Sequence, residues 1–138
     1  MLTFQDLPST STPINANNLN NNFSELKEYE LYQDSTGNAN EITLSDSSAN
    51  YKYLEIYAVS DNYQHSVRVY SPNGTNFAID MQYSTDNNII NIFTSSFTIS
   101  TNKITVSTVA NKFINASNSV ASYGSTPYIK IIRVVGYR

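Results

Sequence analysis

Few residues in this chain are of the types that catalyse reactions, and none of them stands in a recognised catalytic pattern. An Asp–His–Ser relay could use Asp61 and His65, the single histidine, but no Gly-x-Ser-x-Gly turn is present to expose a serine nucleophile. Glycoside hydrolysis needs two carboxylates roughly 5–10 Å apart, and the pairs that the chain could bring together are Asp80 with Asp86 and Glu41 with Glu55. Since nothing in the sequence marks these carboxylates as buried, we expect them to be structural or solvated. We therefore expect a protein that is not an enzyme.

The composition excludes several further kinds of site. The chain has no cysteine and one histidine among 138 residues, which excludes disulfides, thiol nucleophiles, Cys-ligated metals and sites that need two imidazoles. We expect no cofactor and no metal. The formal net charge of −3 argues against a nucleic-acid partner, and the lack of a long apolar run argues against insertion into a membrane. The first residues carry neither the basic nor the apolar region of a secretory signal, so we expect none.

The surface must be built mainly from uncharged polar groups. Only 14% of the residues are charged, which is below the roughly 25% of ordinary soluble domains. Asn, Ser and Thr account for 51 of the 138 residues. An AT-rich genome would also favour Asn, although it would not predict so little Lys. Because such a surface is poor at repelling neighbours, we expect a homo-oligomer or a component of an assembly.

A tyrosine-rich strand is the strongest candidate for a binding surface. Residues 51–59 alternate, with Leu54, Ile56 and Ala58 predicted on the buried face. A four-residue link at 61–64 predicts a hairpin that pairs Ser60 with His65, Ala58 with Val67, Ile56 with Val69, Tyr57 with Arg68 and Glu55 with Tyr70. The opposite face then holds Tyr51, Tyr53, Glu55, Tyr57, Arg68 and Tyr70. Such a face could stack on sugar rings and bind their hydroxyl groups, or it could pack against a second sheet or a neighbouring subunit.

Short strands separated by turns are predicted for most of the chain. The candidates are residues 41–45, 51–59, 65–70, 76–84, 89–93, 97–100, 103–109 and 128–135, with 111–116 ambiguous. Residues 71–74, Ser-Pro-Asn-Gly, give a strong turn signal. Residues 128–135 are apolar on both faces, which is typical of a central strand covered on two sides. The pattern predicts a mainly β domain over residues 29–138, an antiparallel β-sandwich of jelly-roll-like type.

Residues 1–28 are predicted to form a separate arm and helix. The first twelve residues are rich in Pro, Ser and Thr, and Thr12 could cap a helix that has Pro13 at its first position. One helical stripe holds Ala16, Leu19, Phe23 and Leu26. Asn has weak helix propensity, so this helix needs a partner surface. We expect it to serve attachment or oligomerisation.

Two parts of the chain resemble virion proteins of phages that infect Gram-positive bacteria. Residues 7–20, LPSTSTPINANNLN, are similar to the opening of tail and baseplate-associated proteins of these phages. Residues 41–45, 50–56, 66–70 and 129–138 are similar to a β-domain in the same class of virion proteins. The shared pattern contains no catalytic signature.

This resemblance implies a virion structural protein, often a homotrimer, assembled in the host cytoplasm and located in the virion. The N-terminal segment would bind other virion proteins, and the β-domain would face outwards, where such domains commonly meet host-surface saccharide. The chain lacks a long shaft or collagen-like repeats, so a tail-fibre tip, a baseplate or neck component and a capsid-attached head fibre all stay open. The alternative is a purely architectural virion subunit that binds only other virion proteins and buries its tyrosines between subunits.

Overall fold

A computed structural model describes residues 27–86, 89–115 and 120–138. Within these residues the chain forms a single turn of 3₁₀ helix at Ser48–Asn50 and nine strands: β1 (Glu28–Asn38), β2 (Glu41–Thr43), β3 (Tyr53–Ser60), β4 (Tyr63–Tyr70), β5 (Asn76–Asp86), β6 (Ile89–Ser100), β7 (Lys103–Asn115), β8 (Val120–Gly124) and β9 (Lys130–Tyr137). The predicted helical stripe of Ala16, Leu19, Phe23 and Leu26 lies outside the described residues.

The strands form two antiparallel sheets. One sheet has the order β1-β9-β3-β4, and the other has the order β2-β7-β6-β5, with β8 also paired to β7. A single apolar core contains residues of both sheets, including Leu54, Ile56 and Val134 from the first and Phe97 and Ile99 from the second. The mainly β, sandwich-type prediction is therefore confirmed at this level.

Alternation of apolar and polar residues explains how each sheet meets the core. Buried and half-buried residues alternate along β3 without a break, and they alternate in the same way along β6 from Asn91 to Ile99. Strand β9 lies between β1 and β3, as predicted for a central strand. Its Val134 is fully buried in the core, and Val135, on the opposite face, is only 1% exposed.

The predicted register of the β3–β4 hairpin is wrong by two residues. The turn contains only Asp61 and Asn62, so Ser60 pairs with Tyr63 and Glu55 pairs with Arg68. Asp61 has a φ of +50°, a left-handed conformation that Asp tolerates better than most residues and that allows a shorter turn. Because a shift of two residues keeps every side chain on its face, the predicted separation of apolar and polar faces still holds.

Several strand boundaries differ from the predictions. The predicted strands at 89–93 and 97–100 are parts of β6, and β7 extends through the ambiguous residues to Asn115. Residues 28–38 and 120–124 form strands that the sequence pattern did not reveal. The turn at 71–74 is confirmed, with the Thr75 N–H donating to the Pro72 carbonyl at 3.1 Å and Gly74 at a φ of +77°.

Candidate functional site

The outer surface of the β1-β9-β3-β4 sheet holds five of the six predicted site residues. Cross-strand pairing places them in three rows: Glu28, Tyr137, Tyr53 and Tyr70; Glu30, Val135, Glu55 and Arg68; Gln33, Arg133, Tyr57 and Ser66. We use the name tyrosine face for Tyr53, Glu55, Tyr57, Arg68, Tyr70 and Tyr137. The sequence pattern does not predict Tyr137 here, and it joins the others because β9 inserts beside β3.

Tyr53 lies at the centre of a closed cluster within the tyrosine face. Its ring stacks on that of Tyr137 with the centroids 4.6 Å apart, and the Tyr70 ring is tilted against it at 5.4 Å. The Arg68 guanidinium carbon lies 4.6 Å from the Tyr53 ring centre, within the range of a cation–π contact. Arg68 also lies 3.9 Å from a Glu55 carboxylate oxygen. The Tyr53 ring is therefore already covered by neighbours from the same sheet.

Acidic side chains anchor the hydroxyl group of Tyr137. This hydroxyl donates to Glu28 at 3.0 Å and lies 3.4 Å from a Glu55 carboxylate oxygen. Desolvation of the phenol and the hydrogen bond to Glu28 raise the pKa of Tyr137 well above its usual range. The phenol therefore stays protonated and remains a hydrogen-bond donor at every physiological pH.

Tyr51 is not part of this face, contrary to the prediction. The chain bends at Lys52 and β3 begins only at Tyr53. The alternation of faces along β3 therefore does not extend to Tyr51. Its side chain is 5% exposed, and its hydroxyl donates to Asp46 at 2.9 Å. Arg138 pairs with the same Asp46 at 3.1 Å. Tyr51 thus helps to fasten the last residue of the chain to the core.

A shallow groove lies beside Tyr57 at the other end of the tyrosine face. It has a volume of about 240 Å³ and is lined by Tyr57, Gln64, His65, Ser66 and Ile132. Ile132 reaches it because a bulge in β9 leaves this residue between the partners of Tyr57 and Ala58. An aromatic ring, an aliphatic side chain and the polar side chains of Gln64 and Ser66 therefore border the groove, while His65 pairs with Ala58 and alternates to the other face.

A second group of aromatic rings lies at the end of the sandwich near the β3–β4 turn. The ring of Tyr63 stacks on Tyr83 at 4.6 Å, Tyr83 meets Phe93 edge-to-face at 5.5 Å, and Phe93 stacks on Tyr128 at 4.7 Å. We call these four residues the end cluster. Phe93 is 4% exposed, whereas Tyr63 is 46% and Tyr128 is 39% exposed. Each outer tyrosine is therefore supported on one side by an inner ring and reaches solvent.

A cavity of about 320 Å³ adjoins the end cluster. Tyr128, Asp61 and Lys130 line it, together with Ser35 and Thr36 from the end of β1. Asp61 is held in place because its Oδ2 accepts a hydrogen bond from the Tyr83 hydroxyl at 2.7 Å. Among the described residues, none donates to its other oxygen, and none forms an ion pair with Lys130.

A buried asparagine positions the segment that leads into Tyr128. Asn111 is 1% exposed and pairs with Phe93 across β6 and β7. Its amide nitrogen donates to the carbonyls of Gly124 and Thr126, at 3.3 and 2.7 Å. These bonds fix the chain directly before Pro127 and Tyr128, so the position of the outer ring depends on this amide.

One of the possible catalytic pairs, Glu41 with Glu55, is divided between the two sheets. Glu41 lies on β2 of the second sheet, where it pairs with Lys103 at 2.7 Å, so the expectation that Glu41 and Glu55 occupy neighbouring strands is wrong. Asp61 binds the Tyr83 hydroxyl, and His65 lies on β4 opposite Ala58. Asp80 is exposed on β5, and the Asp86 side chain lies outside the described part of the chain.

The side chains that could ligate a metal ion are scattered over the described part of the chain. There, no group of three or more His, Cys, Asp or Glu side chains is placed to hold a metal ion. No helix within those same residues is long and apolar enough to cross a membrane.

The end cluster is not predictable from local patterns because its rings come from four separate segments. Tyr63 follows a turn, Tyr83 and Phe93 lie on the two arms of the β5–β6 hairpin, and Tyr128 precedes β9. Only the contact between Tyr83 and Phe93 could be predicted from a local feature, the β5–β6 hairpin. Its register places Tyr83 opposite Asn91 and thus diagonal to Phe93.

Comparison of the chain with protein-family models, with curated proteins and with solved structures finds no match.

Proposed function

We propose that this chain is a small virion structural protein that presents its β-sandwich for attachment to host-surface saccharide. The likeness of residues 7–20 to the opening of phage tail and baseplate-associated proteins supports the virion assignment. In this proposal residues 1–28 attach the protein to other virion proteins and contribute to a homotrimer, and the β-domain performs binding without catalysis.

The groove beside Tyr57 is the observation that carries the saccharide assignment. Tyr57 and Ile132 offer apolar surface to the C–H groups of a sugar, while Gln64 and Ser66, which share the face of Tyr57, offer donors and acceptors to its hydroxyl groups. These side chains belong to paired strands, so the site is largely formed before a ligand arrives. Weak single-site binding would become firm through several copies on one particle.

Binding to cell-wall polysaccharide tests this proposal. The full chain is immobilised, and polysaccharide purified from several Gram-positive bacteria is applied as the soluble partner. We expect the double variant Tyr57→Ala, Gln64→Ala to bind roughly tenfold more weakly, a loss of about 1.4 kcal/mol. Gln82→Ala, on the outer surface of β5, is the matched control and should bind normally. Equal binding by both variants, or no binding by the unmodified chain, contradicts the proposal.

The Tyr53 cluster favours a second candidate function, a purely architectural subunit. Its ring is covered by Arg68 and Tyr137, which leaves little aromatic surface for a sugar. Tyr70 is 63% exposed beside Arg68, and Tyr and Arg are the residue types that contribute most to protein–protein contacts. If the protein is an architectural subunit, we expect Tyr70→Glu to reduce the solution mass of the full chain, measured by light scattering. Ile90→Glu, 45% exposed on the other sheet, is the control.

We further propose that the sandwich is of jelly-roll-like type. The first and last strands are neighbours in one sheet, and the second strand pairs with β7 in the other, which supports this connection pattern. The β3–β4 hairpin and the β5-β6-β7-β8 meander depart from it, because their consecutive strands stay in the same sheet.

A further inference from the structure

We propose that the cavity beside the end cluster is a second ligand site, which binds one pyranose ring of a neutral saccharide. It shares no lining residue with the groove beside Tyr57, so the proposal concerns different residues from those of the proposed function. The cavity also lies apart from every residue that the sequence pattern singled out for saccharide binding.

The aromatic wall of the cavity is already held in one position. Tyr128 stacks on Phe93 with an angle of 21° between the ring planes, and Phe93 is almost fully buried. Asn111 fixes the chain just before Tyr128 through two hydrogen bonds. A ring that is immobilised before binding loses little side-chain entropy when a ligand stacks on it. Tyr128 therefore has the rigidity that a sugar-stacking platform requires.

The charged side chains in the cavity define the chemistry of the ligand. Asp61 and Lys130 together give the cavity one negative and one positive charge, so its charged groups sum to zero and favour neither an anion nor a cation, while the polar rim of Ser35 and Thr36 is unsuited to a lipid chain. A neutral ligand with many hydroxyl groups satisfies both charges, because a hydroxyl can donate to the Asp61 carboxylate and accept from the Lys130 ammonium. Hydrogen bonds to charged groups are also stronger than those between neutral groups.

The volume of the cavity limits the ligand to about one sugar ring. Small-molecule sites usually have volumes of roughly 300–1,000 Å³, and this cavity of about 320 Å³ is at the lower end of that range. Tyr63 does not line the cavity, but its exposed ring stacks on Tyr83, whose hydroxyl holds Asp61. Tyr63 would thus contact a neighbouring unit of a longer saccharide.

An oligosaccharide panel tests the second site directly. The full chain is applied to immobilised oligosaccharides of neutral hexoses and N-acetylhexosamines, and dissociation constants are measured for every member that binds. We expect Tyr128→Ala to weaken binding at least roughly tenfold, and Tyr128→Phe, which keeps the ring, to stay within about twofold. Asp61→Asn keeps a residue that tolerates the turn conformation and should weaken binding by roughly fivefold.

The variants also separate this proposal from the proposed function. Loss of panel binding by Tyr57→Ala but not by Tyr128→Ala would overturn the second site and leave the groove beside Tyr57 supported. The opposite pattern would establish the second site and remove support from the groove. Binding to no member of the panel overturns the second site. Thermal unfolding of each variant verifies that it is folded.

Discussion

The tyrosine face and the end cluster are both rich in tyrosine, yet the ring of Tyr53 and the rings of Tyr63 and Tyr128 differ in how they are covered. In the tyrosine face, Tyr53 has Tyr137 stacked on it and the Arg68 guanidinium 4.6 Å from its ring centre. In the end cluster, Tyr63 and Tyr128 each stack on an inner ring and stay 46% and 39% exposed. Aromatic content alone therefore does not identify a ligand site.

The neighbours across the strands explain the difference. Tyr53 lies within a sheet, diagonal to Arg68 on the adjacent β4, so a long cationic side chain can lie over its ring. Tyr128 precedes β9 and Tyr63 follows a turn, where such cross-strand neighbours are fewer. The ring of Tyr53 is thus covered by side chains of its own sheet, whereas the rings of Tyr63 and Tyr128 each stack on one inner ring and stay exposed.

The largest stability effect is expected beneath the tyrosine face, where β9 passes Tyr51. A Cβ at Gly136 would lie 2.5 Å from the Tyr51 ring, so Gly136→Ala must displace a buried side chain. We expect the free energy of unfolding to fall by about 3 kcal/mol, measured by chemical denaturation.

Gly74→Ala is the matched control for this substitution. Gly74 has a φ of +77°, and a Cβ added there would meet no atom within 4 Å, so only backbone strain of about 1 kcal/mol is expected. Equal losses in the two variants would mean that Tyr51 does not pack against β9 as described.

The next largest effect on stability is expected at Asn111, which positions the segment before Tyr128 in the end cluster. Asn111→Ala removes two partly buried hydrogen bonds and leaves the carbonyls of Gly124 and Thr126 without this donor. We expect a loss of about 2 kcal/mol in the free energy of unfolding, together with weaker saccharide binding because Tyr128 is less firmly held. Asn102→Ala, at an exposed turn position, should change neither quantity. Unchanged saccharide affinity in Asn111→Ala would mean that the end cluster does not take part in ligand binding.

A smaller effect is expected within the tyrosine face itself. Tyr53→Leu removes the stacked contact with Tyr137 and the tilted contact with Tyr70. We expect a loss of about 1 kcal/mol in unfolding free energy and no change in binding to the oligosaccharide panel. Tyr70→Leu, at a position 63% exposed, should be less destabilising. A large loss of saccharide affinity in Tyr53→Leu would show that the closed ring does take part in binding.

The smallest effect on stability is expected from a change of pH at Asp46, the carboxylate that accepts the hydrogen bond from the Tyr51 hydroxyl. The hydrogen bond from Tyr51, followed by the Ser47 N–H, holds the pKa of Asp46 below its ordinary value of 3.8. The stabilising contribution of this carboxylate is therefore fully present above pH 3.8 and is lost as the pH falls through the lowered pKa. Asp46→Asn should be less stable than the unmodified chain at pH 7, and the difference should narrow at pH 3.

Denaturation at pH 7, 5 and 3 measures this difference, with Asp80→Asn on the exposed side of β5 as the control. A gap between Asp46→Asn and the unmodified chain that stays constant over this pH range would contradict the role given to the carboxylate. The other anchored acids, Asp34 and Glu41, also have lowered pKa values, so part of the acid sensitivity should persist in every variant.

The alternating pattern of β3 and β4 was sufficient to predict which residues face the core. It could not determine the register, because a two-residue and a four-residue turn place the same residues on each face. The left-handed φ of Asp61 decides between them, and Asp is only one of several residues that adopt it. The alternation also placed Tyr51 on the tyrosine face, since nothing local reveals the bend at Lys52.

The end cluster and Tyr137 depend on contacts between distant parts of the chain. Tyr137 joins Tyr53 because β9 pairs with β3, across more than seventy residues of sequence. Tyr128 meets Phe93 only after Asn111 has fixed the segment between β8 and β9. Local periodicity carries no information about such pairings, so the sequence predicted the strands of the sandwich better than its sites.

Tyrosine ring signals in an NMR titration test the central claim most directly. The full chain, labelled with ¹³C in its tyrosine rings, is titrated with an oligosaccharide that binds on the panel. We expect the signals of Tyr128, if the second site binds, or of Tyr57, if the groove binds, to shift with ligand concentration, while those of Tyr53 and Tyr137 stay fixed. Shifts confined to Tyr53 and Tyr137 would contradict this claim.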